Sequence, residues 1–345
     1  MLRCTYSEFV ARTDRADIAT ALERLEEAKK TAGSRAACDL LIHEVGLASW
    51  KILNESYYEE SLHYYLGHLQ AYLGHPELAA RHIEMSHTTP SAGGDITYEV
   101  HSRDAQVLAE WKGRAQARGL PSILLASMPR AASASLTQNL SRMLDVPVMR
   151  LSAGSFPDYA LFPTWLRFFL SGGAITHDHF GATPHNLRVL EDSGLHHVFV
   201  LARDPRSAAS SYARFVQRGQ VDNYNEDKPY EEMLLDTCLN KYIPWMQQWL
   251  NYDRSPDRKL TIGWLRYRDV VQATPEVLAS IRHAFPDQAA VMAQCSTPAG
   301  SPLPDRANFV EGDDDAWRKQ VSEATKERLW QACSSEMIEL LELKA

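Results

Sequence analysis

Cysteine is scarce in this 345-residue chain. Its five cysteines include no CxxC pair, and their number is odd: Cys4, Cys38, Cys238, Cys295 and Cys333. Disulfide frameworks are typical of oxidising compartments, whereas scattered, unpaired cysteines are typical of reducing ones. The sequence therefore predicts free thiols and a cytoplasmic protein.

Long apolar runs are also missing. The first nineteen residues, MLRCTYSEFVARTDRADIA, carry Asp and Arg where a signal peptide needs an uninterrupted apolar stretch. The most apolar later segment, residues 159–170, is broken by Pro163 and Arg167. A membrane-spanning helix needs about 20 predominantly apolar residues. The sequence thus predicts neither export nor a membrane anchor.

Positive charge is not in excess either, because the formal net charge is −8. Proteins that bind nucleic acid through a broad basic face need many lysines and arginines to displace counterions from phosphates. A nucleic-acid partner is therefore not expected, and any anion site must be local and preorganised. With 45% hydrophobic and 23% charged residues, the chain can bury an α/β core and a second small module.

Residues 1–119 are predicted to form an all-α region, because apolar residues recur there at helical spacing. Within it, residues 62–90 resemble a tetratricopeptide helical hairpin, in which Gly67 and Ala79 permit close helix packing and Gly74 forms the turn. Repeat units need neighbours to bury their faces. This single unit is expected to pack on flanking helices or on the second domain. The helical region could also bind a protein partner or mediate self-association.

Residues 120–345 are predicted to form an α/β domain. Short β-rich runs alternate there with helical ones: 122–126, 146–151, 174–176, 197–202 and 260–265. Such alternation is typical of a central parallel sheet between helical layers, a three-layer sandwich. Ligands of such folds bind at the carboxyl ends of the strands.

The first anion-binding candidate is the turn SMPRAASASL, residues 127–136, which follows an apolar strand and opens a helix. Its small residues would let backbone amides approach a phosphate or sulfate at the positive helix end, and Arg130 would add a bidentate donor. The ATP-type motif GxxxxGK[ST] is absent. The alternative is a plain helix N-cap by Ser133 or Ser135 beside a surface arginine.

A second basic turn follows about seventy residues later, in LARDPRSAASSY. Ser211 lies eight positions after Arg203, a little over two helical turns on, so the two side chains could grip one phosphate. The alternative is a salt-bridged RDPR turn with a buried Ser211. Taken together, the two turns suggest a ligand phosphorylated at two ends.

These two motifs resemble those of the sulfotransferases that use 3′-phosphoadenosine 5′-phosphosulfate. SMPRAASASL is similar to the family's 5′-phosphosulfate loop, P-[KR]-[ST]-G-[ST]-[ST], and the second turn is similar to its 3′-phosphate motif, R-[DN]-P-[KR] followed by Ser. Residues 266–285, RYRDVVQATPEVLASIRHAF, resemble a later strand-helix segment. The resemblance covers roughly residues 121–333, and it implies a sulfotransferase-like, P-loop-type fold.

The resemblance implies a role for several residues at the cofactor. Arg130 would take the place of the family's lysine against the bridging and sulfuryl oxygens, Arg203 and Ser211 would hold the 3′-phosphate, and Tyr267 would contact adenine or else pack in the core. The implied loop residues are Arg130, Ala131, Ala132, Ser133, Ala134 and Ser135.

The cofactor-binding motifs depart from the family pattern in three respects. Ala132 stands where the loop glycine is normal and Ala131 where a hydroxyl is normal, and alanine is strained wherever φ must be positive. The C-terminal RKG clamp is missing, and Arg306 or Arg318 would substitute for it.

The catalytic base is expected among the histidines of the segment THDH, residues 176–179. THD is similar to the family's K-[TS]-H element, which makes His177 the candidate base, although the usual lysine neighbour is Ile175. His179 would point to the same side of an extended chain and either orients the acceptor or is the base itself. A metal site and simple structural histidines are the alternatives; no partner cluster of ligands is evident, so no metal is expected.

The function implied by the resemblance is transfer of a sulfuryl group to a hydroxyl, or secondarily an amine, of a small metabolite or natural product, with 3′-phosphoadenosine 5′-phosphate as product. The acceptor would enter beside the aromatic segment at residues 156–169, whose helical spacing equally fits core packing. Two rivals are a kinase-like phosphotransferase and a helical-repeat scaffold with a degenerate transferase domain.

Overall fold

Helices make up every described element before Gly119. The computed structural model describes residues 15–44, 58–87, 102–154, 156–217, 228–272, 274–295 and 316–344. The first four helices are α1 (Arg15–Glu44, interrupted at Gly33), α2 (Tyr58–Leu73), α3 (Pro76–Met85) and α4 (Ser102–Ala117). None of the helices in these ranges contains a stretch long and apolar enough to cross a membrane.

Helices α2 and α3 form a tightly packed hairpin. Gly74 makes the turn at φ +83°, a backbone conformation that L side chains rarely adopt. A Cβ added at Gly67 would lie 2.7 Å from Cγ1 of Ile83 and 3.1 Å from the carbonyl oxygen of Ala79. The close approach therefore requires glycine at that position. The assignment of this hairpin as a tetratricopeptide unit stays a prediction.

The hairpin packs on both of its predicted neighbours. On one side α2 contacts α1 through a small apolar cluster that contains Leu22, Leu25 and Leu66. On the other side Ala79 and Ile83, both fully buried, belong to the same apolar cluster as the strands and helices that follow Gly119. The helical region and the later elements thus share a core, while the domain boundary at residue 119 stays a prediction.

Short strands and many helices alternate after Gly119. The strands are β1 (Ser122–Ile123), β2 (Leu125–Ser127), β3 (Val148–Met149), β4 (Ser152–Ala153), β5 (Ala160–Leu161), β6 (Ala174–Thr176), β7 (His197–Ala202) and β8 (Thr261–Arg266). The helices between them are α5 (Ser133–Leu144), α6 (Pro163–Leu170), α7 (Pro184–Asp192), α8 (Pro205–Gln217), α9 (Tyr230–Thr237) and α10 (Ile243–Arg254), the last two joined by a π-helical turn at Cys238–Tyr242. The remaining helices are α11 (Tyr267–Gln272), α12 (Thr274–His283), α13 (Ala289–Gln294), α14 (Glu323–Ala332) and α15 (Ser335–Leu341), with 3₁₀ turns at Pro286–Gln288 and Ala316–Lys319.

Six of these strands form two small parallel sheets, and β4 pairs antiparallel with β5 in a third sheet. One sheet has the order β1-β6-β3 and the other β2-β7-β8, and every pairing in them is parallel. Strands β1 and β2 are separated by Leu124 alone, and a parallel bridge from Ala126 to Asp178 extends the contact beyond β6. These pairings do not establish a single central sheet in a three-layer sandwich, which stays a prediction.

Candidate functional site

The first basic turn links β2 to α5 through strained backbone. Arg130 and Ala132 both have φ of +65°, in the left-handed region that non-glycine residues rarely occupy. The interpretation of Ser133 or Ser135 as a helix N-cap is wrong, because the N-cap of α5 is Ala132 and no side chain caps it. The strain expected from the missing loop glycine is therefore present in this turn.

This geometry is suited to an anion. The sign of φ alternates from Arg130 through Ala131 to Ala132, a pattern that makes backbone amides converge on one point. The first amides of a helix have no acceptor within the helix and carry its positive partial charge, so those of Ser133, Ala134 and Ser135 add to the anion-binding surface. The backbone of residues 130–135 is called the cradle.

The second basic turn, between β7 and α8, is stabilised by its own ion pair. Arg206 Nε and Nη2 donate to the two carboxylate oxygens of Asp204 at 3.0 and 2.9 Å, and the backbone N–H of Arg206 donates to the same carboxylate at 2.9 Å. The Arg206 guanidinium also lies 5.3 Å from the ring centre of Trp317 and 5.4 Å from that of Trp330. Arg206 thus fixes the turn, and Arg203, 7% exposed, lies outside this pair.

The two turns, distant in sequence, meet in space. Arg203 Nη1 donates to the carbonyl oxygen of Arg130 at 3.0 Å, across 73 residues. Arg130 Nε donates to Ser211 Oγ at 3.2 Å, across 81 residues. Each guanidinium also lies over an aromatic ring: Arg130 is 4.6 Å from the centre of Phe215, and Arg203 is 4.0 Å from that of Tyr267. One site therefore contains Arg130, Arg203, Ser211 and Tyr267.

Of the two candidates for a C-terminal clamp, the structure describes Arg318 alone. Arg306 lies outside the described residues. Arg318 donates from Nη2 to the carbonyl oxygen of Lys344 at 2.6 Å, and its guanidinium is 5.0 Å from the ring centre of Trp317. These contacts tie Arg318 to the C-terminal segment, and its role at a cofactor stays a prediction.

His177 and His179 lie beside the first turn. Their ring centres are 5.6 Å apart in an edge-to-face arrangement, as two side chains on the same side of an extended segment would be. His177 Nε2 is 3.1 Å from Ser133 Oγ, at the start of α5. His179 Nδ1 is 2.8 Å from the carbonyl oxygen of Ser127, the last residue of β2. Both imidazoles therefore contact the chain segment that carries the cradle.

Asp178, between the two histidines, points the opposite way and anchors the segment. Its carboxylate accepts hydrogen bonds from the backbone N–H of Leu151 and from Ser152 Oγ, both at 2.6 Å, and its side chain is buried. Burial raises its pKa, and the nearby charge of Arg150 opposes that rise. Asp178 is thus a structural anchor that holds the two histidines on the other side of the chain.

Both imidazoles are held in the neutral form. Burial lowers the pKa of His177 well below its usual value, and its electrostatic interactions with His179 and with Arg150 lower it further. Burial and Arg150 likewise lower the pKa of His179 to about 4, although its hydrogen bond to Ser127 acts in the opposite direction. A neutral imidazole can accept a proton, as a general base must. Among the described residues, no group of three or more His, Cys, Asp or Glu side chains is arranged to bind a metal ion.

Some aromatic residues of the segment at 156–169 lie in the apolar core, and others lie near the candidate site. Phe162, Trp165 and Phe169 are buried in the main apolar cluster, as their helical spacing permits. Tyr159 approaches His179, with 6.3 Å between ring centres. Phe156 lies 5.1 Å from Tyr242, next to the π-helical turn, and 6.3 Å from Trp245. Phe156 and Tyr159 are only partly buried against that cluster.

Sequence reasoning missed Arg150, Phe215 and Tyr242. Arg150 follows a short strand and carries no motif, yet its charge acts on both histidines. Phe215 lies beneath Arg130 from the far end of α8, four residues after Ser211. That spacing is one helical turn, so a helical projection of the second motif could have found Phe215.

Comparison with known proteins gives distant structural likenesses. No protein-family model matches the chain, and no curated protein sequence matches it. The crystal structure of mouse sulfotransferase SULT7A1 complexed with PAP is similar over 68% of this chain and 94% of that one, at 12% identity and a TM-score of 0.45. A sulfotransferase from Alicyclobacillus acidocaldarius is similar over 66% and 97%, at 13% identity and a TM-score of 0.34. These scores are too low to assign a function, which is inferred below from this chain's own residues.

Proposed function

We propose that this chain is an enzyme that transfers the sulfuryl group of 3′-phosphoadenosine 5′-phosphosulfate to a hydroxyl, or secondarily an amine, of a small metabolite. One observation carries the proposal: the turn at 130–132 and the turn at 203–206 converge through the Arg203–Arg130 and Arg130–Ser211 hydrogen bonds. These bonds bring two cationic residues, more than seventy positions apart in sequence, to one place, where an anionic ligand would offset their like charges. A doubly phosphorylated nucleotide is the ligand that such a pair suits.

The residues present fit that cofactor. The amides at 133–135 and the Arg130 guanidinium would hold the 5′-phosphosulfate, and Arg203 with Ser211 would hold the 3′-phosphate. Tyr267, whose ring centre lies 4.0 Å from the Arg203 guanidinium, would border the adenine. When bound, the cofactor supplies an activated sulfuryl group on a good leaving group.

The chemistry left to the protein is orientation and removal of one proton. The hydroxyl of the acceptor must lose its proton as its oxygen attacks sulfur, and a neutral histidine beside the cradle suits this step. His177 and His179 both meet that requirement. Arg130 would stabilise the charge that develops on the bridging oxygen as the sulfuryl group leaves. Tyr159 and Phe156 would line the acceptor side.

Calorimetry with 3′-phosphoadenosine 5′-phosphate and with ATP tests the proposal. We expect micromolar or tighter binding of the former and at least tenfold weaker binding of ATP, because a triphosphate places no charge at the 3′ position. A preference for ATP would favour a phosphotransferase. Binding of neither nucleotide would contradict the proposal and favour a scaffold with a degenerate transferase domain.

A further inference from the structure

The two histidines of the site are not equivalent, because their hydrogen bonds fix the tautomer of one and leave that of the other open. His179 Nδ1 lies 2.8 Å from the carbonyl oxygen of Ser127 and 3.1 Å from Ser127 Oγ. A carbonyl oxygen can only accept, and Ser127 Oγ already donates to the carbonyl oxygen of Asp178 at 2.9 Å. His179 Nδ1 must therefore carry the proton.

It follows that His179 Nε2 is unprotonated in the neutral ring. No described residue forms a hydrogen bond to Nε2 of His179, and this nitrogen is not among the buried polar atoms that lack a partner. Its lone pair therefore faces accessible space next to Tyr159. Trp245 Nε1 donates to the carbonyl oxygens of His179 and Phe180, both at 3.1 Å, and fixes the backbone that carries the ring.

His177 has no such constraint. Among the described residues, the hydrogen-bond partner of its ring is a hydroxyl, Ser133 Oγ at 3.1 Å, which can donate to Nε2 or accept from it. Ser133 is also the first residue of α5, in the predicted cradle. When an anion occupies the cradle, the Ser133 hydroxyl would donate to the anion and would have to accept from His177. Nε2 of His177 would then carry a proton and could not act as a base.

From these contacts we infer that His179, through Nε2, removes the proton of the attacking group, and that His177 is a positioning residue that orients Ser133 toward the bound anion. The inference rests on the proposed function. The bond between the acceptor oxygen and sulfur forms while the bond between sulfur and the bridging oxygen of the 5′-phosphate breaks. The proton of the acceptor hydroxyl goes to Nε2 of His179, and the electron pair of the broken bond leaves with the nucleotide.

The strand end that carries the cradle would thus also set the base. Ser127 is the last residue of β2, three residues before Arg130, and its carbonyl holds His179. Any displacement of this strand end moves cradle and base together. Because both are attached to the same strand end, the distance between the cradle and His179 stays fixed although the two are not in direct contact.

Long-range ¹H–¹⁵N correlation spectra of the full chain labelled with ¹⁵N-histidine test the tautomers directly. His177→Gln and His179→Gln give the assignments. We expect His179 as the Nδ1–H tautomer, neutral down to about pH 4, with and without 3′-phosphoadenosine 5′-phosphate. The nucleotide should convert His177 to the Nε2–H tautomer, and Ser133→Ala should shift His177 while leaving His179 unchanged. An Nε2–H tautomer of His179 would overturn the inference whether or not the nucleotide binds.

The two glutamine variants separate the roles. His177→Gln should weaken the binding of 3′-phosphoadenosine 5′-phosphate several-fold, and His179→Gln should leave it within twofold. Transfer of labelled sulfuryl to phenol should fall roughly a hundredfold or more in His179→Gln and less than fivefold in His177→Gln. The reverse order of the two variants would overturn the assignment. Failure of the wild-type chain to bind the nucleotide would contradict the proposed function but not the tautomer of His179.

Discussion

The two basic turns differ in what holds them in place. The turn at 203–206 contains its own support, since Arg206 binds both oxygens of Asp204 and lies near two tryptophan rings. The turn at 130–132 has two residues at positive φ and no side chain that caps the helix after it. It is bound by the other turn through Arg203 and by the helix after that turn through Ser211. A rigid turn thus supports a strained one.

This difference gives each turn a separate physical task. A buried, paired arginine is costly to disturb, so the 203–206 turn provides a fixed reference. Strained backbone persists where its surroundings determine it, and it commonly marks a ligand site. The strain at Arg130 and Ala132 is accordingly located where a sulfuryl group would bind.

Breaking the ion pair of the rigid turn should have the largest effect on stability. Asp204→Ala leaves Arg206, 1% exposed, as a buried charge without its carboxylate. We expect the free energy of unfolding to fall by about 3–5 kcal/mol in urea titrations. Arg188→Ala, which removes an exposed pair with Glu77, is the matched control and should cost less than about 1 kcal/mol. Equal losses in the two variants would show that the Asp204 pair has no special role.

Relief of the strain in the other turn should have a smaller effect of opposite sign. Ala132→Gly relieves the strain of an alanine in the left-handed region, but it also increases the entropy of the unfolded chain. The first effect is the larger, so we expect a net gain in stability of about 0.5–1 kcal/mol. Ala131→Gly, in the same turn but without positive φ, should instead lose about 1 kcal/mol. Thermal unfolding of both variants measures this difference. Destabilisation by Ala132→Gly would mean that the turn is not strained in solution.

The sequence predicted the elements of the site better than its contacts. Strands form at each of the five predicted positions, and Arg130 and Arg203 follow parallel strands. Hydrophobic alternation and turn residues are local signals, so these features can be read from short windows. The Arg203 bond to the carbonyl of Arg130 depends on how two distant turns pack, and no local signal encodes it.

The functions of Asp178 and Arg150 illustrate the same limit. In sequence, the segment HDH presents three polar side chains whose roles cannot be told apart. In the structure Asp178 is turned away from the histidines to bind Leu151 and Ser152, because side chains alternate along an extended segment. Arg150 acts on this group from another strand end. Burial and charge from a distant segment, which a single sequence does not reveal, decided both roles.

The central claim is that the two turns bind the two ends of one nucleotide, and one set of dissociation constants tests it most directly. Calorimetry should compare 3′-phosphoadenosine 5′-phosphate with adenosine 5′-phosphate on the wild-type chain, on Arg203→Ala and on Arg254→Ala, an exposed arginine paired with Glu336. A charge-assisted hydrogen bond contributes about 1.5–3 kcal/mol. We therefore expect the wild-type chain and Arg254→Ala to prefer the 3′-phosphorylated nucleotide by roughly 10- to 100-fold, and Arg203→Ala to lose that preference. Equal affinity of the wild-type chain for the two nucleotides would contradict the account.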